Sequence, residues 1–224
     1  MRGVNQSGND VQLRALLKLF KSHPWHGVPI GEEAPEVVAV YVEMVPTDTI
    51  KYEIDKDTGH LRVDRPQRYS NMCPALYGFV PQTLCDAEVA ARCKVHGAVE
   101  GDQDPLDVLV LTEKTFSHGD VLLKAIPIGG FRMVDRGQAD DKVIAVLVDD
   151  GVFGDLRELS QIPDTLLDRL QHYFLTYKMG PHDSHRPIDI AEVYDRAEAQ
   201  SVIRASRNDY DRRFPELKSI LGPR

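Results

Sequence analysis

The run Glu100-Gly-Asp102-Gln-Asp104-Pro-Leu-Asp107-Val-Leu-Val-Leu constrains this chain more than any other, because three aspartates crowd together directly ahead of an apolar segment that reads as a buried strand. Two carboxylates about 5 Å apart repel by roughly 3 kcal/mol at an effective dielectric near 20, so Asp102, Asp104 and Asp107 resist convergence unless a cation joins them. A hard metal ion meets that need. In an extended segment Asp102 and Asp104 share a face while Asp107 has the opposite parity, so convergence requires a bend, which Pro105 is placed to supply. A solvated acidic loop is the ordinary reading of such a cluster, but Val108 to Leu111 ties this one to a core strand.

A chain of 224 residues with 42% hydrophobic side chains suffices for one domain with extensions. Its net charge of −8 argues against a nucleic-acid surface, which needs a basic stripe. Cys73, Cys85 and Cys93 form an odd set with no CxxC pair, so neither a disulfide framework nor a zinc site is indicated. The start lacks the apolar core of a secretory signal, and no run of about 18 apolar residues occurs. A soluble, cytoplasmic protein without a membrane partner is expected.

Residues 1–36 read as an N-terminal arm in which Asp10 caps a helix carrying Leu13, Leu16, Leu17 and Phe20 at helical spacing. His23-Pro-Trp25-His26-Gly follows. Two histidines beside the only tryptophan admit a metal role, but a Pro/Gly-rich segment with a lone Trp more often docks an arm onto the body or onto a neighbouring subunit. Val37 to Val45 reads as a strand interrupted by one acid, Glu43. Ile50 to Ile54 and Leu61 to Arg65 flank the turn Asp57-Thr-Gly59, a hairpin that brings Lys51, Glu53, Asp64 and Arg65 into one neighbourhood; ordinary cross-strand ion pairs are the plain alternative.

Cys73 to Pro81 carries aromatics among turn formers and offers Tyr77 at the edge of a cleft, and residues 85–99 read as an inserted loop or short helix. Val121 to Ile128 is a strand running into Gly129-Gly130. Asp135 to Lys142 repeats the opening theme, acids in a turn ahead of an apolar strand, here Val143 to Val148. Pro163-Asp164 opens a helix whose stripe includes Leu166, Leu170, Phe174 and Tyr177, with Lys178 carried on to its inner edge. A last amphipathic helix is expected over about 190–207, and residues 209–224 as a wandering polar tail.

Two acidic turns, each ahead of a strand, suit adjacent positions at one rim of a β fold. Their donors are all oxygens, which favours Mg²⁺ or Mn²⁺ over zinc. Lys51, Arg65, Lys142 and Lys178 complement such a site for phosphate, and Tyr77 and Tyr177 add neutral donors.

The run Asp102-Gln-Asp104-Pro-Leu-Asp107-Val resembles the aspartate signature of the soluble family I inorganic pyrophosphatases. Glu43, Lys51-Tyr-Glu53, Asp64-Arg65, Tyr77-Gly-Phe, Asp135 with Asp140, Lys142 and Tyr177-Lys178 stand in the family's order, so the similarity covers about Val38 to Ser206. The resemblance implies a mixed α/β, mainly β fold: a five-stranded OB-like closed β-barrel flanked by helices, over residues 37–208. It implies hydrolysis of diphosphate to two orthophosphates with several Mg²⁺ ions, Mn²⁺ or Co²⁺ as substitutes, Ca²⁺ as an inhibitor, and a homo-oligomer, hexamer or dimer.

By the same resemblance Asp102, Asp107 and Asp140 hold a first metal. Asp107 reaches a second, so that a water bridges the pair, and Asp104 is the general base that takes its proton. Asp135 and Asp140 hold a third ion and Glu53 contributes to a fourth. Lys51, Arg65, Tyr77, Lys142, Tyr177 and Lys178 grip the phosphates, with Glu43 and Asp64 behind them. A packed rim aromatic is the plain alternative for Tyr77, and a solvated lysine for Lys178. The chain departs from the family pattern in the 85–99 insertion, the long arm, and a loop from 179 to 186 that lacks the lysines usual after the helix; His182, His185 and Arg186 are candidate substitutes for the missing cation, and a plain loop is the ordinary reading.

Two rival readings are a calcium module and a hydrolase of another phosphoanhydride such as a nucleotide diphosphate. An EF-hand loop starting at Asp102 does place Glu113 at its twelfth position. It puts Leu106 at a ligand position, however, lacks the required Gly, and is followed by a β run. A nucleotide substrate needs a base-stacking pocket, for which the sequence offers no candidate.

Overall fold

The computed structural model describes residues 20–217, so the helix expected from Asp10 and the end of the tail, residues 218–224, lie outside the described residues. In chain order the strands are β1 (Val38–Met44), β2 (Ile50–Ile54), β3 (Leu61–Pro66), β4 (Leu76–Phe79), β5 (Glu100–Gly101), β6 (Asp107–Leu111), β7 (Val121–Asp135), β8 (Gln138–Ala139), β9 (Lys142–Leu147) and β10 (Ile188–Asp195). The helices that bear on the site are α1 (Ala87–Cys93), α2 (Asp164–Thr176) and α3 (Arg196–Arg213).

Pairing runs from β1 to β4, β6, β9 and β7, and β7 returns to β1, so five strands form a ring-like sheet of the OB type. β2 and β3 form a separate hairpin. The length of β7 makes the ring possible: its start pairs with β1, its middle with β9, and its end with β8 and β10. Side chains alternate along β6. Val108 and Val110 join one core cluster with Val143 and with Val202 and Ile203 of α3, while Leu109 and Leu111 join a second with Ile144, Leu170 and Phe174. Both faces are therefore buried, which is why β6 reads as an unbroken apolar run. Phe174 of α2 is 1% exposed, and truncating it to Ala would cost about 3–5 kcal/mol.

Leu76–Phe79, around Tyr77, forms β4 between β1 and β6. Three local expectations are corrected. Gly129-Gly130 does not end its strand: a Cβ on Gly130 would lie 2.4 Å from the Tyr194 ring, so the glycines let β10 cross β7 closely and β7 continues to Asp135. The helix expected from about 190 is strand β10 until Asp195, where the Asp195 carboxylate accepts the Glu198 N–H at 3.0 Å and starts α3. α3 then runs on to Arg213 with Asp209 and Tyr210 buried, so no free tail begins at 209. The 85–99 insertion contains α1 followed by a short 3₁₀ turn, Lys94–His96.

Trp25 is buried, donates its indole N–H to the Thr83 carbonyl at 2.8 Å, and packs against Tyr210 and Phe214. The described part of the arm is thus docked on the body.

Candidate active site

The loop before β6 bends at Gln103 and Asp104, just ahead of Pro105, and the Asp104 N–H donates to the Asp102 carboxylate at 3.0 Å. Asp107 opens β6 in register with Phe79 of β4 and Lys142 of β9. This register places the Lys142 ammonium 2.5 Å from Asp107 and against Asp140, and the Tyr77 hydroxyl donates to Asp107 at 2.5 Å. Lys142 is 2% exposed. Burial pulls its ammonium down, but the carboxylates of Asp107, Asp140 and Asp102 outweigh it and hold it protonated well above the ordinary lysine value. Burial, followed by the charge of Asp140, drives the Asp102 carboxyl well above the usual range. Burial also raises Asp140, with Lys142 opposing it. The arrangement is a buried ammonium among carboxyl groups, with burial raising both Asp102 and Asp140.

The β2–β3 hairpin forms the opposite wall. Lys51 lies 3.3 Å from Glu53 and 3.1 Å from Asp64, which also meets Arg65. Register sets Lys51 opposite Arg65 and Glu53 opposite Arg62. Glu43 is buried behind this wall and accepts the Ile54 N–H at 2.7 Å. Burial, then the nearby Asp107 charge, pushes its carboxyl up to about 8. A cleft of about 150 Å³ opens between Glu43, Lys51, Glu53, Tyr77, Asp104 and Asp107.

Past the end of α2, the Tyr177 ring carries the Arg65 guanidinium 5.7 Å from its centroid and the Lys178 ammonium at 5.2 Å, and Lys178 pairs with Asp135. These contacts connect the sequence-derived set into one patch. His182, His185 and Arg186 are exposed in a loop. Sequence reasoning missed Lys56, which pairs with Asp104, and Arg62, which reaches Glu53 at 2.5 Å. The hairpin register that pairs Glu53 with Arg62 was the available signal for the second.

Among the described residues no three His, Cys, Asp or Glu side chains form a ready metal cage. Where Asp102, Asp107 and Asp140 were expected to meet on an ion, the Lys142 ammonium stands between Asp107 and Asp140, because buried anions gather on whatever cation is within reach. The donor set nonetheless fits a hard divalent ion. It is carboxylate oxygen throughout, and Asp135 Oδ1 is buried without a hydrogen-bond partner.

An OB-like ring whose rim brings carboxylates together with lysine, arginine and phenol groups fits a class of enzyme that handles a small polyanion. The comparisons make this specific. The family model for inorganic pyrophosphatase matches residues 40–211, and the chain belongs to that family, the metal-dependent family I hydrolases acting on diphosphate. The inorganic pyrophosphatase of Chlamydia caviae is 46% identical over 206 residues, covering 89% of this chain and 95% of that one. Soluble inorganic pyrophosphatase 2 of Chlamydomonas reinhardtii is 36% identical, covering 88% and 93%. The crystal structure of inorganic pyrophosphatase from Thermus thermophilus superposes with a TM-score of 0.70 at 30% identity, covering 84% of this chain and 99% of that chain. No helix among the described residues is long and apolar enough to cross a membrane.

Proposed function

We propose that the cleft hydrolyses inorganic diphosphate to two orthophosphates with Mg²⁺, and that Asp104 accepts the proton of the attacking water. The observation that carries this reading is the interleaving of charge. Carboxylates that suit cations pair with cations that suit phosphoryl oxygens: Lys51 with Glu53 and Asp64, Arg65 with Asp64, Lys142 with Asp107 and Asp140, and Lys178 with Asp135, and of these Lys51, Glu53 and Asp107 line the cleft. Bound ions would neutralise diphosphate and acidify the water. This chain's own residues do the rest. Arg65 offers a fork and the lysines offer point charges to the phosphates, Tyr77 and Tyr177 supply hydroxyl donors, and Glu43 and Asp64 hold the hairpin residues behind them. As water oxygen bonds to one phosphorus its proton passes to Asp104, the bridging P–O bond breaks, and the second orthophosphate leaves with that electron pair.

Mn²⁺ and Co²⁺ should substitute and Ca²⁺ should inhibit, since its looser geometry suits the octahedral requirement poorly. The three free, buried cysteines accord with a reducing, cytoplasmic setting, and the family likeness supports a homo-oligomer. The test is phosphate release from diphosphate with Mg²⁺. Pure wild-type protein should release phosphate and Asp104→Asn should lose roughly 10²–10⁴-fold in kcat. An inactive wild type rejects the activity, and a fully active Asp104→Asn rejects the proposed base.

A further inference from the structure

Gln103 stands between Asp102 and Asp104 with φ +65°, a left-handed conformation that a glutamine adopts only at a cost. What holds it there is the start of the 85–99 insertion. The Gln103 N–H donates to the Cys85 carbonyl at 3.1 Å, the Cys85 N–H donates to the Asp104 carbonyl at 2.8 Å, and the Gln103 side-chain amide donates to Asp86 Oδ1 at 2.8 Å. Lys56 completes the grip, donating to the Gln103 carbonyl at 3.3 Å while pairing with Asp104. The fit is close: a Cβ on Gly101 would lie 2.1 Å from the Cys85 carbonyl oxygen.

Asp86 is placed to cap α1, yet its side chain makes no capping bond. That task falls to Asp209 of α3, whose buried carboxylate accepts the backbone N–H groups of Asp86, Glu88 and Val89 at 3.0–3.2 Å. The Asp86 carboxylate is thereby left for Gln103. α1 is itself fixed along its length, by Arg92 to Glu198 at 2.8 Å and by the Cys93 thiol to Asp141 at 3.2 Å. A side chain anchored on an element so braced holds its partner to a narrow range of positions.

We propose that Asp86 and Gln103 are positioning residues for the reaction: the insertion acts as a clamp that fixes the backbone between Asp102 and Asp104 and so aims both carboxylates. The inference rests on the reading that Asp104 and its neighbours perform hydrolysis. It gives the insertion a role at the site, on the side that serves the attacking water, away from the phosphate-gripping residues of β2, β3 and the end of α2.

The experiment compares full-length wild type, Asp86→Ala, Asp86→Asn and Gln103→Gly in phosphate release with Mg²⁺, thermal unfolding, and backbone hydrogen exchange of the 102–107 segment with and without Mg²⁺. Asp86→Ala should lower kcat about five- to tenfold with little change in KM, because alignment is lost while substrate binding is kept. It should also speed exchange at Gln103 and Asp104 in the metal-free protein. Asp86→Asn keeps an acceptor oxygen and should stay within about twofold of wild type. Gln103→Gly removes both the side-chain bond and the backbone strain, so kcat should fall while the melting temperature holds or rises. Wild-type kcat and wild-type exchange in Asp86→Ala and Gln103→Gly would overturn the clamp. So would equal losses in Asp86→Ala and Asp86→Asn, which would assign the effect to charge, or losses that only track falling stability. An inactive wild type, by contrast, overturns the hydrolytic reading itself.

Discussion

Lys142 is the residue on which the buried electrostatics turn. Its ammonium neutralises Asp107 and Asp140 in a place with almost no solvent, and breaking a buried pair typically costs 3–5 kcal/mol. Lys142→Met should therefore destabilise the metal-free protein by about 3 kcal/mol, and millimolar Mg²⁺ should restore much of the loss by supplying the missing positive charge. Urea unfolding of both proteins with and without Mg²⁺ reads this directly. Glu43 makes a second case, with a sign that depends on pH. Its folded-state value is raised from 4.5 to about 8, so between those values the folded state holds a proton that the unfolded state has released. Stability falls as pH rises through that window. Glu43→Gln should match wild type near pH 4 and exceed it above pH 8, by on the order of 2–4 kcal/mol in urea unfolding of the metal-free protein. At this scale the sequence was informative wherever like charges had no local reason to be together: Asp102, Asp104, Asp107 and Asp140 stood out for that reason. Lys56 and Arg62 did not, because a lysine or an arginine in a hairpin is what any solvated hairpin carries.

The elements were legible where one period dominated and illegible where two competed. β6 and α2 follow from an unbroken apolar run and from a 3.6-residue stripe, respectively. β10 reads as the start of a helix because Ile190 and Val193 stand three apart and the bulge between Ile190 and Glu192 breaks the strand alternation, and only pairing with the far end of β7 decides the matter. The glycines at 129 and 130 read as a strand end because their reason, the Tyr194 ring crossing above them, lies some 60 residues away in sequence. Asp209 is the sharpest instance. It reads as a tail residue, yet it caps α1 from the far end of the chain. Replacing it with Ala leaves buried N–H groups without acceptors, so Asp209→Ala should cost about 2 kcal/mol in denaturant unfolding. A loss below a few tenths would show that α1 does not depend on this cap.

At the scale of the whole molecule, ring closure was beyond what local pattern encodes, because the β1–β7 pairing joins segments about 80 residues apart and only the family resemblance supplied it. The docked arm was half legible: a lone Trp in a Pro/Gly-rich segment implied docking, but its partners Tyr210 and Phe214 sit in the stretch expected to be a free tail. His26 lies in this junction, stacked on Trp25 and 2.9 Å from the Tyr210 hydroxyl. Burial, then the neighbouring His23, lowers its value from 6.5 to about 4. Between those values the unfolded chain binds a proton that the folded junction refuses, so stability falls as pH drops from 6.5 towards 4. The ring is only half-buried, and after solvent screening the contribution is about 1–2 kcal/mol. Wild type should therefore lose more stability than His26→Gln between pH 7.5 and pH 5 in urea unfolding. Acid should also quench or shift Trp25 fluorescence, since the ring that takes up the proton stacks on Trp25. Parallel pH profiles for the two proteins would remove His26 from the junction's energetics and leave the aromatic packing of Trp25, Tyr210 and Phe214 as what holds the arm.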